Sequence, residues 1–198
     1  TMYFIFSSWT SLIGMSLSFL IRTELSFMDI ITENNFYNII VTSHAITMIF
    51  FLIMPMTMGG FGNWLMPILL MIPDMAFPRA NNLSFWMLLP SFLLFMTSTL
   101  SESGINTGWT LYPPLIMMNN NPSIELLIMS LHIAGISSII SSINFLTTFF
   151  NMNPAKISKS SLLTWSIIFT AILLLLTLPV LAGAITMIFF DRNLNSSF

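Results

Sequence analysis

Long apolar stretches alternate with short polar connections along the 198-residue chain. A helix crossing about 30 Å of hydrocarbon at 1.5 Å per residue needs about 20 apolar residues. Runs of that kind cover roughly residues 3–21, 36–72, 83–100, 124–150 and 162–190. The pattern therefore predicts an all-α, polytopic bundle of about five membrane-spanning helices, forming a single transmembrane domain over 1–198. The second run is long enough to tilt, and Pro55 within it frees a carbonyl that a neighbouring helix has to satisfy. No repeat of fixed period, low-complexity tract or linker marks a second domain. Thr1-Met2-Tyr3 already lies in an apolar stretch, and Asp191-Arg192-Asn193-Leu194-Asn195 leads to Phe198 without a closing element, so the sequence reads as cut at both ends.

Charge is confined to the connections, and it segregates. Arg79, Lys156 and Lys159 follow the second and fourth runs, whereas Glu24, Asp29, Glu33, Glu102, Glu125 and Asp191, together with Arg22 and Arg192, fall at the opposite ends. Lysine and arginine in short loops predict that the Arg79 and Lys156 loops face the cytoplasm or matrix. Trp64, Trp86, Trp109 and Trp165, near the ends of runs, fit interfacial anchors or lipid-facing packing. Only 6% of residues are charged and 56% are hydrophobic, with mean hydropathy +0.89. So few charges cannot cover a water-facing surface, which excludes a soluble enzyme. A net charge of −2 without a basic run excludes nucleic acid as a partner and leaves the lipid bilayer as the solvent. The absence of cysteine removes disulfide frameworks, thiolate metal sites and cysteine nucleophiles.

Chemistry is concentrated in few positions. His44 stands in Ile40-Val41-Thr42-Ser43-His44-Ala45-Ile46-Thr47-Met48, about 12 Å into the second run from its acidic end. A neutral imidazole at that depth requires a partner: either a metal, of which haem iron is the commonest in an apolar bundle, or a hydrogen bond to a neighbouring helix. His132, the second of two histidines, favours a structural hydrogen bond. Two histidines cannot complete a copper or di-iron centre alone. Ser130, Ala134, Ser137, Ser141, Asn144 and Thr148 recur at spacings of four and three and share a helix face, which suits tight packing or a file of proton-carrying hydroxyls and amides. Asp74, Arg79, Asn81 and Asn82 form a polar cluster at the basic end, and Arg22 closes the first run.

Several strings then carry a family resemblance. They are IIVTSHA from Ile39 to Ala45, MPMTMGGFGNWLMP from Met54 to Pro67 and PDMAFPRANNLSFW from Pro73 to Trp86. In the same order follow NTGWTLYPPL from Asn106 to Leu115, SLHIAGISSI from Ser130 to Ile139, INF from Ile143 to Phe145, LPVLAGAITM from Leu178 to Met187, and DRNLN from Asp191 to Asn195. Over nearly its whole length the chain resembles subunit 1 of the haem-copper cytochrome c oxidases, in its mitochondrial form, and corresponds to the first five of that family's helices. The resemblance implies a proton-pumping oxidoreductase of the mitochondrial inner membrane. There the complete complex takes electrons from cytochrome c through a copper A subunit and haem a to a haem a3–copper B centre that reduces oxygen to water. It implies that His44 is an axial ligand of haem a, and that Arg22, Tyr37 and Trp109 lie around that haem. Asp74 matches the entrance of a proton pathway, with Asn63, Asn81, Ser84, Ser137, Ser138 and Asn144 along it. Glu24 matches a residue near a peripheral sodium or calcium site, although the segment Leu25 to Phe36 departs from the family pattern. The haem a3 and copper B ligands belong to later helices of the family, so no catalytic oxygen-reducing residue is expected here. A cytochrome b-type quinol oxidoreductase would carry two histidines on each of two helices, and a secondary transporter would show internal repeats and ionisable groups at mid-membrane. The chain has one histidine per helix and no such repeats.

Overall fold

The computed structural model describes residues 1–27, 34–101, 104–118, 121–154 and 157–198. Asp29, Glu33, Glu102, Lys156 and the Asn119-Asn120 pair lie outside the described residues. The described residues form helices and connections without a strand: α1 (Met2–Ser26), α2 (Asn34–Ile46), α3 (Asn63–Leu70), α4 (Pro78–Leu100), the short α5 (Pro113–Met118), α6 (Pro122–Met152) and α7 (Leu162–Leu194). Between α2 and α3 the chain stays helical through π-wound segments Thr47–Ile53 and Pro55–Gly62, so Asn35–Leu70 is one span. Five helices are long and apolar enough to cross a membrane. The chain is a multi-pass, all-α membrane protein.

Local chemistry sets the helix limits. Pro78 and Pro122 occupy the first turns of α4 and α6, where a missing N–H costs nothing. The Ser161 side chain caps α7 by accepting from Thr164 N. Helix α1 continues past the apolar run through Arg22 to Ser26, and α7 continues through Asp191 and Arg192 to Leu194. Polar final turns of this kind reach the headgroup region, where helices need no apolar cover.

The break at Pro55 is resolved as the sequence requires. Proline denies the Phe51 carbonyl its α-helical partner, and that oxygen accepts instead from Thr10 Oγ1 of α1 at 3.0 Å. Wider turns take up the rest, with Met54 N bonded to Ile49 O. Two apolar clusters hold the bundle. Phe6, Phe51, Phe92, Phe95, Leu127 and Leu131 join α1, the π-wound stretch, α4 and α6, and Met66, Leu70, Phe145, Phe149 and Ile168 join α3, α6 and α7. Gly14 leaves room for the Met48 side chain, since a Cβ there would lie 2.4 Å from Met48 Sδ. The alternation of the helices puts Arg79 and Lys159 at one end of the bundle and Glu24, Glu125 and Asp191 at the other.

Candidate haem-ligand and proton-uptake sites

At the acidic end, His44 sits half-buried in the last turn of α2. Its Nδ1 is 2.9 Å from Gly14 O on α1. A carbonyl oxygen only accepts, so Nδ1 carries the proton and Nε2 of the neutral ring holds a free lone pair. A cross-helix carbonyl on Nδ1 is the outer contact that fixes the tautomer and ring plane of metal-binding histidines. Tyr37, half-buried, lies two turns earlier on the same helix face. The turn carrying Trp109 is tied to α2 through Gly108 N, which donates to Thr42 Oγ1 at 3.1 Å. Gly108 takes φ 77°, which glycine tolerates without strain. Trp109 is 53% exposed. Arg22 is exposed and Glu24 half-buried at the end of α1. Tyr37 thus shares the His44 face of α2, the Trp109 turn is held at Thr42 nearly opposite that face, and Arg22 and Glu24 occupy the same end of the bundle. Among the described residues no three histidine or carboxylate side chains come together to hold a metal ion.

At the basic end, Asp74 is exposed at a cleft of about 570 Å³ shared with Tyr3, Asn63, Asn81, Asn82 and Trp64. Its Oδ1 accepts from Met75 N at 2.7 Å. Asn63 Nδ2 donates to Asn81 Oδ1 at 2.9 Å and to Gly59 O at 2.8 Å, joining α3 to α4. Deeper between the helices is a cavity of about 20 Å³ bordered by Tyr3, Met54, Gly59, Ser137, Ser138 and Ser141. One water needs about 10–15 Å³. Tyr3 and Gly59 border both spaces. The Tyr3 hydroxyl lies 2.7 Å from Ser84 Oγ, and Ser137 Oγ donates to Ser84 O at 2.6 Å.

Asp74, Asn63 and Asn81 therefore line the outer cleft, Ser137 and Ser138 border the inner cavity, Ser84 is bonded to Tyr3 and Ser137, and Asn144 borders neither space. Its Oδ1 accepts from Phe77 N at 2.9 Å and its Nδ2 donates to Phe77 O at 3.3 Å. Thr148 Oγ1 accepts from Ala76 N nearby. Both side chains hold the connection that carries Asp74 into α4. Sequence reasoning missed Tyr3, although a tyrosine inside a lipid-facing span needs a partner for its hydroxyl. It also placed Ser141 only within the polar stripe of α6.

Residues 1–198 match the family described as Cytochrome C and Quinol oxidase polypeptide I. The chain belongs to this family. It is 50% identical over 206 residues to cytochrome c oxidase subunit 1 of Yarrowia lipolytica, covering 100% of the chain and 38% of that relative. It is 48% identical over 204 residues to cytochrome c oxidase subunit 1 of Eremothecium gossypii, again covering 100% of the chain and 38% of the relative. The chain thus spans 38% of the length of these polypeptide I relatives.

Proposed function

We propose that these residues form the haem a-holding and proton-uptake part of the core subunit of a proton-pumping cytochrome c oxidase. They act as one transmembrane unit of the mitochondrial inner membrane, with Arg79 and Lys159 on the matrix side. Electrons would come from cytochrome c by way of a copper A subunit, and oxygen would be reduced at a haem a3–copper B centre built by other residues of the complete protein. The family description covers quinol oxidases as well; cytochrome c is preferred as donor because both relatives carry that name.

The observation that carries this reading is the His44–Gly14 contact. It leaves Nε2 unprotonated and holds the ring by a carbonyl from another helix, which is the donor state that iron requires. Haem a, when bound, supplies a one-electron carrier at that position. His44 would be the ligand and the Gly14 carbonyl orients its ring; Arg22, Tyr37 and Trp109 are the chain's own groups for setting charge and hydrogen bonding around it. At the other end, Asp74 takes a proton from water at the mouth of the cleft. The amides of Asn63 and Asn81, the hydroxyls of Tyr3 and Ser84, and then Ser137, Ser138 and Ser141 offer successive donors and acceptors inward. Asn144 supports this route by holding the Phe77 peptide. Glu24 is the chain's candidate contribution to a peripheral sodium or calcium site.

Replacing His44 with Leu in the full-length protein keeps an apolar side chain and removes the ligand. The low-spin haem absorbance should vanish from the purified complex while the other subunits remain associated. An unchanged spectrum would overturn the ligand assignment.

A further inference from the structure

Two cross-helix bonds tie α1 to the second span, and their α1 ends lie one turn apart. Gly14 O takes the His44 ring, and Thr10 Oγ1, fully buried, donates to Phe51 O at 3.0 Å. The Thr10 proton is shared with Ser7 O of its own helix, also at 3.0 Å. Within α1 the Ser7 carbonyl has the Ser11 N–H as its helical partner, whereas the α-helical partner of Phe51 O would be Pro55, which has no N–H. Between the two ties the span leaves α geometry: its π-wound stretch starts at Thr47, less than a turn after His44. That start lies against the same part of α1, since a Cβ on Gly14 would lie 3.7 Å from Thr47 Cγ2. The Phe51 ring is held separately, with centroids 5.1 Å from Phe92 and 5.4 Å from Phe95 of α4.

We propose that Thr10 is a positioning residue for the His44 ring: by holding the Phe51 carbonyl it fixes the winding of the stretch that follows the histidine. Each wide turn holds about one residue more than an α turn, which is ~100° of helix rotation. With Phe51 anchored among rings, any rewinding of the stretch is taken up at its other end, and the His44 ring leaves Gly14 O. The Nδ1–H bond makes Nε2 the better electron-pair donor. A loosened ring donates less, which destabilises the more positive ferric state of a bound haem. The inference rests on the haem-ligand reading made above.

Thr10→Val removes the hydroxyl and keeps the shape, whereas Thr10→Ser keeps the hydroxyl. Each is made in the full-length protein, and the purified complex is titrated electrochemically while its spectrum is recorded. At a fixed potential the ratio of reduced to oxidised low-spin haem should rise about threefold to tenfold in the Val variant, the effect of one lost hydrogen bond. The Ser variant should stay near the parent value. Selective loss of the low-spin absorbance is the stronger form of the same result. Should the Val variant fail to assemble, Thr10→Ala, equally without a hydroxyl, is read in its place. Ser130→Ala is the structural control: it loses a buried bond between α4 and α6 and should leave the ratio unchanged. An unchanged or lower ratio in the Val variant, or an equal rise in Thr10→Ser or Ser130→Ala, overturns the inference. Loss of both haem signals from the Val and Ala variants alike marks a folding residue and overturns it too. If His44→Leu leaves the low-spin haem in place, the ligand reading itself has failed; if His44→Leu removes it and Thr10→Val changes nothing, only the present inference fails.

Discussion

The contact between α4 and α6 repeats one arrangement at two levels of the membrane. Ser91 faces Ser130, and one pair of turns nearer the basic end Ser84 faces Ser137. At the upper level the serines exchange bonds, Ser91 Oγ donating to Ser130 O and Ser130 Oγ to Ser91 O, both at 2.7 Å. Both residues are fully buried, among Leu88, Phe92, Phe95, Leu127 and Leu131. At the lower level Ser137 Oγ donates to Ser84 O, but Ser84 Oγ also meets the Tyr3 hydroxyl. There Ser137 borders the inner cavity. Identical residues at identical spacing thus do different work. The upper pair spends every donor on holding two helices together. The lower pair has a third helix beside it and room for water, which is what the proposed proton route needs.

The variant with the largest expected effect removes the proposed proton source of the lower level. Asp74→Asn preserves shape and the Met75 contact while removing the carboxylate. Oxygen consumption by the full-length enzyme should fall about tenfold or more, with haem absorbance intact. An unaltered rate measured at an oxygen electrode would remove Asp74 from the route. Gly59→Ala comes next. Its added Cβ would lie 2.4 Å from Tyr3 Cδ1, so the ring that borders both spaces must move. Overpacking of this kind costs about 1–3 kcal/mol. Thermal unfolding in detergent should shift downward, together with slower proton uptake after a pulse of oxygen.

How legible these features were in the sequence depends on how local their causes are. The spans follow from apolar runs, and the fate of the Pro55 break follows from proline chemistry, although only the structure identifies Thr10 as the residue that satisfies Phe51. The stripe on α6 was readable as a stripe, yet its members separate by function. Ser130 locks helices, Ser137 and Ser141 reach a cavity, and Asn144 and Thr148 clamp a loop. Periodicity assigns residues to a face and is silent about what stands opposite. Tyr3 stayed hidden for the same reason, since its partner Ser84 is 81 positions away. The sequence already separated the two histidines, leaving His44 open to a metal or a helix contact and favouring a structural hydrogen bond for His132. They differ in whether the carbonyl that fixes the ring lies on another helix or one turn back on the same one.

The remaining variants sharpen the contrast between the two serine levels with smaller effects. Ser130→Ala removes one of the reciprocal bonds in the upper contact. Polar contacts between membrane helices average about 0.6 kcal/mol, so the unfolding midpoint should fall slightly while proton uptake stays as it was. A Ser91→Ala, Ser130→Ala cycle should return a coupling near that size.

Tyr3→Phe makes the complementary cut below. The ring remains against Gly59 and Phe85, with centroids 5.2 Å from Phe85 in the parent chain, so packing is preserved. Only the hydroxyl facing Ser84 is lost, and Ser84 Oγ keeps its bond to Asn81 O at 2.7 Å. Stability should therefore change by less than about 1 kcal/mol. Proton uptake should slow severalfold, because the group that joins the outer cleft to the inner cavity no longer exchanges protons. If uptake slowed equally in Ser130→Ala, or not at all in Tyr3→Phe, the cavity would not be what separates the two levels, and the lower serines would be packing residues like the upper ones.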